Sequence, residues 1–248
     1  MKHSFVKNEN YRRFATAYAA LENRGAPERC ILAEIGKPGA GKTRIVDNFG
    51  SSADAVFLEG IPGMSLRYVK DALKAETGIK AKGGYEEFAL MVEFFSNNGK
   101  PLPIILDECQ HGFSNKAECV EYLRRLAEKA GSILVLVCHT SEAHLFNRYE
   151  HIKTRIGCVC EILQPSLADT TLYCDELCEV RLEADLIAEV HRQSGARYRL
   201  ISDALATLER LAAKLGQASL SLADVAGMPL CDDCEKTLKN KQSAKGGK

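Results

Sequence analysis

The sequence predicts an α/β fold in which a parallel sheet is flanked by helices, followed on the C-terminal side by a small all-helical domain. Three observations carry this expectation. Apolar runs of strand length at residues 30–35, 55–58, 102–108, 132–138 and 158–163 are separated by stretches of helical periodicity. The runs do not alternate between polar and apolar residues, as strands covered on one face do, so the sheet is buried on both sides. After Pro165 only helical periodicity remains, with Leu182, Leu186 and Val190 in one stretch and Leu200, Leu205, Leu208 and Leu211 in the next.

Each element has a local reason. Phe14, Ala17, Tyr18 and Leu21 form a helical stripe that Gly25-Ala26-Pro27 ends. The strand at 30–35 runs into a glycine-rich turn, and a helix starts at about Lys42. The strand at 55–58 meets Gly60, Pro62 and Gly63. Ser65 can then cap a helix carrying Leu66, Val69 and Leu73, which stops near Gly78. Residues 85–96 read as a helix closed by Asn97-Asn98-Gly99. The strand at 102–108 ends in two acids, a helix over 115–129 stops at Gly131, and two further strands follow. The expected division is an N-terminal helical segment over 1–29, an α/β domain over 30–165, a helical lid over 166–228 and a basic disordered tail over 229–248. Five lysines and no acids fall between Lys236 and Lys248.

Composition narrows the class. The 248 residues carry 33 basic and 33 acidic side chains, so a polyanion would have to be held by local patches and not by net charge. A hydrophobic share of 46% excludes general disorder, and no apolar run reaches the roughly 18 residues of a membrane span. The polar start shows no secretory signal, so a cytoplasmic protein is expected. The ten cysteines are scattered and read as reduced thiols. Cys231 and Cys234 form one CxxC pair, half of a zinc set, and no such metal is assigned.

The chemistry-bearing signal is Gly36-Lys37-Pro38-Gly39-Ala40-Gly41-Lys42-Thr43, which satisfies G-x-x-x-x-G-K-[ST] between a strand and a helix. Its backbone N–H groups can curl around phosphate oxygens at a helix N-terminus. Lys42 would neutralise the β- and γ-phosphates of ATP, Thr43 would bind Mg²⁺, and Arg44 completes the nucleotide-binding set. Asp107 supplies the acid that the metal needs from a neighbouring strand end, and Glu108 stands where it can polarise an attacking water. That acid pair favours hydrolysis over a nucleotide kinase. His139 and Thr140 follow the next central strand, and either could bond the water or the γ-phosphate. Arg148 and Arg155 are candidates to reach a neighbouring subunit's nucleotide, and Arg197 or Arg199 could fold back on it from the helical domain.

Together these residues resemble the AAA+ ATPases: the phosphate loop, Asp107-Glu108-Cys109-Gln110, the polar strand tip, Thr154-Arg155-Ile156, and Gly195 through Arg199 at the start of a helical lid. An LDE-x-Q segment in so short a chain resembles most the transposition ATPases, namely the B protein of Mu-like phages and the target-selecting ATPases of related transposons. The resemblance spans about residues 10–215. It implies an ATPase that assembles as a homo-oligomer, ring or filament, on double-stranded DNA, marks it as target and stimulates a transposase. On this likeness His139 or Thr140 takes the sensor-1 position, Arg155 becomes the arginine finger ahead of Arg148, and Arg199 the sensor-2 residue ahead of Arg197. No DNA contact through a long N-terminal helix-turn-helix module before the ATPase is expected, and the strand tip lacks the Gly-Asn or Gly-Thr pair of the group. Candidate DNA patches are Lys2, Lys7, Arg12 and Arg13; Lys70, Lys74, Lys80 and Lys82; Arg124 and Arg125; and the lysine tail. A replication-type helicase loader or initiator, and an ATP-gated protein module without nucleic acid, are the alternatives.

Overall fold

The computed structural model describes residues 1–2 and 4–232. Its elements run α1 (Glu9–Glu22), β1 (Ile31–Gly36), α2 (Lys42–Ala53), β2 (Val56–Glu59), α3 (Leu66–Thr77), α4 (Gly84–Ser96), β3 (Ile104–Asp107), α5 (Ser114–Ala130), β4 (Leu134–His139), α6 (Leu145–Arg148), α7 (Glu150–Lys153) and β5 (Ile156–Ile162). They continue as α8 (Leu167–Leu177), β6 (Arg181–Leu182), α9 (Ala184–Ser194), α10 (Tyr198–Leu215) and β7 (Ser219–Leu220). The chain divides into two compact units, one of residues Asn10–Leu163 and one that joins Met1–Glu9 to the segment from Gln164 onward.

In the first unit five strands form one sheet in the order β2-β3-β4-β1-β5, and every pairing is parallel. Parallel pairing forces all the strands to finish on one rim, so Gly36, Asp107 and His139 end beside each other in space although far apart in sequence. Gly36 lies directly opposite His139. One face of the sheet carries Ile31, Ala33, Ile104, Leu106, Leu134 and Leu136 under Val69 and Leu73 of α3, Met91 and Phe95 of α4, and Leu123 and Leu126 of α5. The opposite face receives α2, whose Gly50 lies against Ile105, and α1, whose Phe14 and Tyr18 pack on Phe49. Two covered faces are what the unbroken apolar strands require.

Local signals act where expected. The Ser65 hydroxyl accepts the Tyr68 N–H, and Gly78 and Gly131 close α3 and α5 in left-handed conformation. One start differs: Asn115, Lys116 and Ala117 are left-handed, with φ of 46°, 60° and 60°, so the right-handed helix of α5 begins only after Ala117. The edge strand β5 has side chains bonded to its backbone at both ends. Arg29 donates to the Ile156 carbonyl, Arg13 to that of Glu161, and Asn10 both donates to the Leu163 carbonyl and accepts its N–H. That masking answers the liability of an open edge.

The second unit packs α8, α9 and α10 around Leu186, Val190, Ile201, Leu205 and Leu208. Sequence periodicity predicts helices alone here, yet β6 and β7 form a two-residue parallel ladder. Such a ladder is too short to leave a period-two signature. Val6 is buried in this cluster, and Asn8 donates to the Tyr198 hydroxyl.

Candidate nucleotide-binding site

The turn after β1 has its shape from two glycines. Gly39 and Gly41 hold φ of 78° and 94°, where a Cβ is strained, and Gly41 caps α2. Gly36 is needed for a different reason, since a Cβ there would lie 2.7 Å from the Ile162 carbonyl. Ala40 is fully buried beneath the turn, whereas Lys37, Pro38 and Arg44 are exposed. Lys42 bends back, and its Nζ donates to the carbonyls of Gly36 at 2.9 Å and Lys37 at 3.3 Å. Burial pushes its ammonium pKa down, while Glu108, Glu34 and Asp107 pull it up.

Thr43 and Asp107 meet across the rim, the Thr43 hydroxyl donating to Asp107 Oδ2 at 2.7 Å. The other carboxylate oxygen accepts the Glu108 N–H at 2.9 Å. Two oxygen donors at this separation suit adjacent corners of an octahedral Mg²⁺ shell, whose oxygens lie about 2.9 Å apart for bonds of about 2.1 Å. The donor set, a hydroxyl and a nearly buried carboxylate beside an ammonium, therefore fits a metal-bound triphosphate. Glu108 is left-handed, with φ of 48°, a strained setting for a residue with a side chain. Its carboxylate accepts from Gln110 Nε2 at 2.5 Å on one oxygen, and the other faces His139 Nε2 at 3.7 Å. Gly60, just after β2, donates its N–H to the Asp107 carbonyl; a Cβ there would stand 2.3 Å from the Glu108 carbonyl.

The rim thus gathers Gly36 through Thr43, Asp107, Glu108 and His139. Thr140 is the next residue, exposed, with its carbonyl accepting the Ala143 N–H. Arg155 is not gathered. Its carbonyl accepts the Ile31 N–H at the start of β1, so it lies at the opposite rim, about 16 Å away for five residues of strand. Arg148 is exposed and lies over the Tyr149 ring. Arg197 and Arg199 belong to the helical unit, where Arg197 donates to the Ser194 carbonyl and Arg199 is exposed in the first turn of α10. Several candidate basic groups are committed elsewhere: Lys70 and Lys74 to the nearly buried Glu87, Arg124 to Glu121 and Glu128, and Arg125 to Glu121. Burial would raise the Glu121 carboxyl, but hydrogen bonds from Arg124 and Arg125 outweigh it and hold it at about 2. The nine described cysteines form no disulfide, and no cluster of three or more His, Cys, Asp and Glu residues placed to hold a metal occurs among the described residues. Cys234 and the lysine tail lie outside them.

Sequence reasoning missed Glu34. It is fully buried in β1, two residues before Gly36, and neither carboxyl oxygen has a hydrogen-bond partner. Burial, and after it the Asp107 charge, push its carboxyl well above the usual carboxylate range. A single acid within an apolar strand was the available signal.

An all-parallel five-stranded sheet with this strand order and a phosphate loop opening α2 is the AAA+ P-loop ATPase fold. Residues 28–146 match the family described as AAA domain. Among solved structures, the chain is similar to Cdc6p from Pyrobaculum aerophilum (TM-score 0.64, 18% identity, 90% of this chain and 68% of that one). It is similar also to the Aeropyrum pernix ORC2 protein in ADPNP-ADP complexes (0.64, 17%, 90% and 67%). The Thermotoga maritima RuvB Holliday junction branch migration motor aligns too (0.59, 16%, 89% and 67%). At these identities the likeness is one of fold. No curated protein matches the chain in sequence. No helix among the described residues is long and apolar enough to cross a membrane.

Proposed function

We propose that this chain is a Mg²⁺-dependent ATPase that assembles with copies of itself on duplex DNA and acts in DNA transposition, capturing target DNA and stimulating a transposase. The observation that carries the ATPase reading is the meeting of Thr43 with Asp107 at 2.7 Å, with Lys42 and Glu108 on the same rim. When bound, Mg²⁺ withdraws charge from the phosphate oxygens, and Thr43 with Asp107 would hold it. Lys42 exchanges the carbonyls of Gly36 and Lys37 for phosphate oxygens. The turn's N–H groups and the N-terminus of α2 add positive potential. Glu108 accepts the proton of the attacking water, and His139 or Thr140 orients that water or the γ-phosphate. Arg155, at the far rim, acts on a neighbouring subunit's nucleotide, with Arg148 behind it, and Arg199 ahead of Arg197 serves as sensor 2.

Transposition is supported by the LDE-x-Q segment at Leu106–Gln110. A second reading, a replication-type initiator or helicase loader, is supported by the likeness to Cdc6p and ORC2. With Lys70, Lys74, Arg124 and Arg125 paired to acids, duplex contact falls to the other candidate cations, such as the exposed Lys80 and Lys82.

The test is ATPase rate and sedimentation with and without duplex DNA for the parent and for Lys42→Ala and Glu108→Gln. Lys42→Ala loses nucleotide binding and assembly; Glu108→Gln binds and assembles but hydrolyses at least about a hundredfold more slowly. DNA that changes neither rate nor size refutes the DNA reading, and stimulation by a helicase but not a transposase favours the second one.

A further inference from the structure

Glu108 can act as a base only if one of its two oxygens points at one place. A carboxylate on a rotatable side chain offers two equivalent oxygens, and positioning of the base is a large part of its effect. Here the symmetry is broken. Gln110 Nε2 donates to Glu108 Oε2 at 2.5 Å, while Oε1 faces His139 Nε2 at 3.7 Å, wider than a hydrogen bond.

The chain is shaped to bring this amide back. After the left-handed Glu108, residues Cys109–Phe113 make a single tight helical turn, with Cys109, Gly112 and Phe113 buried beneath it. The His111 N–H closes the turn on the Glu108 carbonyl. A side chain two residues along is thereby folded over Glu108. The carbonyl oxygen of the same amide is buried without a partner. Leaving that acceptor unsatisfied has a cost, which the bond to the carboxylate offsets. The chemistry of the group also fits: a neutral donor orients a carboxylate without neutralising it, which a lysine or arginine would do.

We infer that Gln110 is a positioning residue for ATP hydrolysis: it occupies Oε2 and leaves Oε1 as the oxygen that takes the proton from water. In the step it serves, the water oxygen bonds to the γ-phosphorus and gives its proton to Oε1. The bond from γ-phosphorus to the bridging oxygen breaks with its electron pair remaining on ADP. The inference rests on the reading of Glu108 as the base.

The test compares Gln110→Met, which keeps length and volume but donates nothing, with Gln110→Glu, which keeps size and brings a second negative charge. Single-turnover hydrolysis and affinity for a fluorescent ADP analogue are measured in the parent and in the Glu108→Gln background. In the parent both variants lower the hydrolysis rate about tenfold to a hundredfold, with nucleotide affinity held within about twofold, a split that loss of folding would not give. In the Glu108→Gln background Gln110→Met lowers the residual rate no further, because the group it acts through is gone. An unchanged rate in the parent, or an equal loss in both backgrounds, overturns the role of Gln110. If Glu108→Gln alone leaves hydrolysis unchanged, the reading of Glu108 as base has failed, and the inference falls with it.

Discussion

Glu34 has a consequence for stability that can be measured without any nucleotide. Its native carboxyl stays protonated far above the unfolded value near 4.5, because burial and the Asp107 charge oppose ionisation. Below that unfolded value the acid is neutral in both states and costs nothing. As pH rises, the unfolded chain gains ionisation free energy that the native state lacks, so stability is lost progressively until the native pKa is reached. Glu34→Gln removes this dependence, and the melting temperature of the variant relative to the parent is expected to climb as pH rises above the unfolded value near 4.5. Parallel melting curves across that range would show that Glu34 is ionised and partnered in the native state. The contrast with the rest of the site is instructive about sequence. Gly36 through Thr43 were legible because the chemistry is written in eight consecutive residues. Gln110 stood in the motif, yet only the turn over Cys109–Phe113 aims its amide at Glu108. Glu34 gave nothing beyond its type, since what keeps it neutral is burial in the sheet and the charge of Asp107 on β3, acting against Lys42 of α2.

At the scale of elements, β2 contributes no reacting group but supplies the backing of one. Its successor Gly60 lies against the Asp107 and Glu108 carbonyls, so the turn bearing the acid pair is held by a position with no side chain. Gly60→Ala is expected to displace that turn and lower turnover about a hundredfold, as displacements of about 1 Å do, with ADP affinity nearly unchanged. Gly83→Ala, where a Cβ meets nothing, is the control and leaves turnover as it is. Full activity in Gly60→Ala would mean that the turn is held from elsewhere. The strands were readable because burial on both faces writes itself into every residue of a run. The left-handed turn at Asn115, Lys116 and Ala117 was not, because those side chains carry helix or neutral propensity and the turn answers to what it joins. Each such residue costs about 1–2 kcal/mol. Lys116→Gly is therefore expected to raise stability by about 1 kcal/mol, measured by denaturant midpoint; a fall would place that residue in the right-handed region.

For the molecule as a whole, the first residues of the chain belong with its last described ones. Val6 is 4% exposed within the helical unit, and Asn8 bonds Tyr198 there. Sequence order hides this because periodicity describes neighbours, not partners some 190 positions away. Val6→Asp buries a charge in that cluster and is expected to cost about 3 kcal/mol. The cost should be confined to the helical unit: amide exchange quickens in α8, α9 and α10 and is unchanged in β4 and α5. Equal quickening in both sets would show that the two units unfold together.

Arg29, Arg13 and Asn10 bear on how other molecules can engage the sheet. Visiting peptides that dock by adding a ladder of main-chain bonds need a free row of acceptors along an outer strand. On β5 the acceptors at Ile156, Glu161 and Leu163 are already plugged by this chain's own guanidinium and amide groups. A strand added at that margin would have to displace these side-chain bonds at both ends of β5, a penalty that pairing on an unplugged edge does not carry.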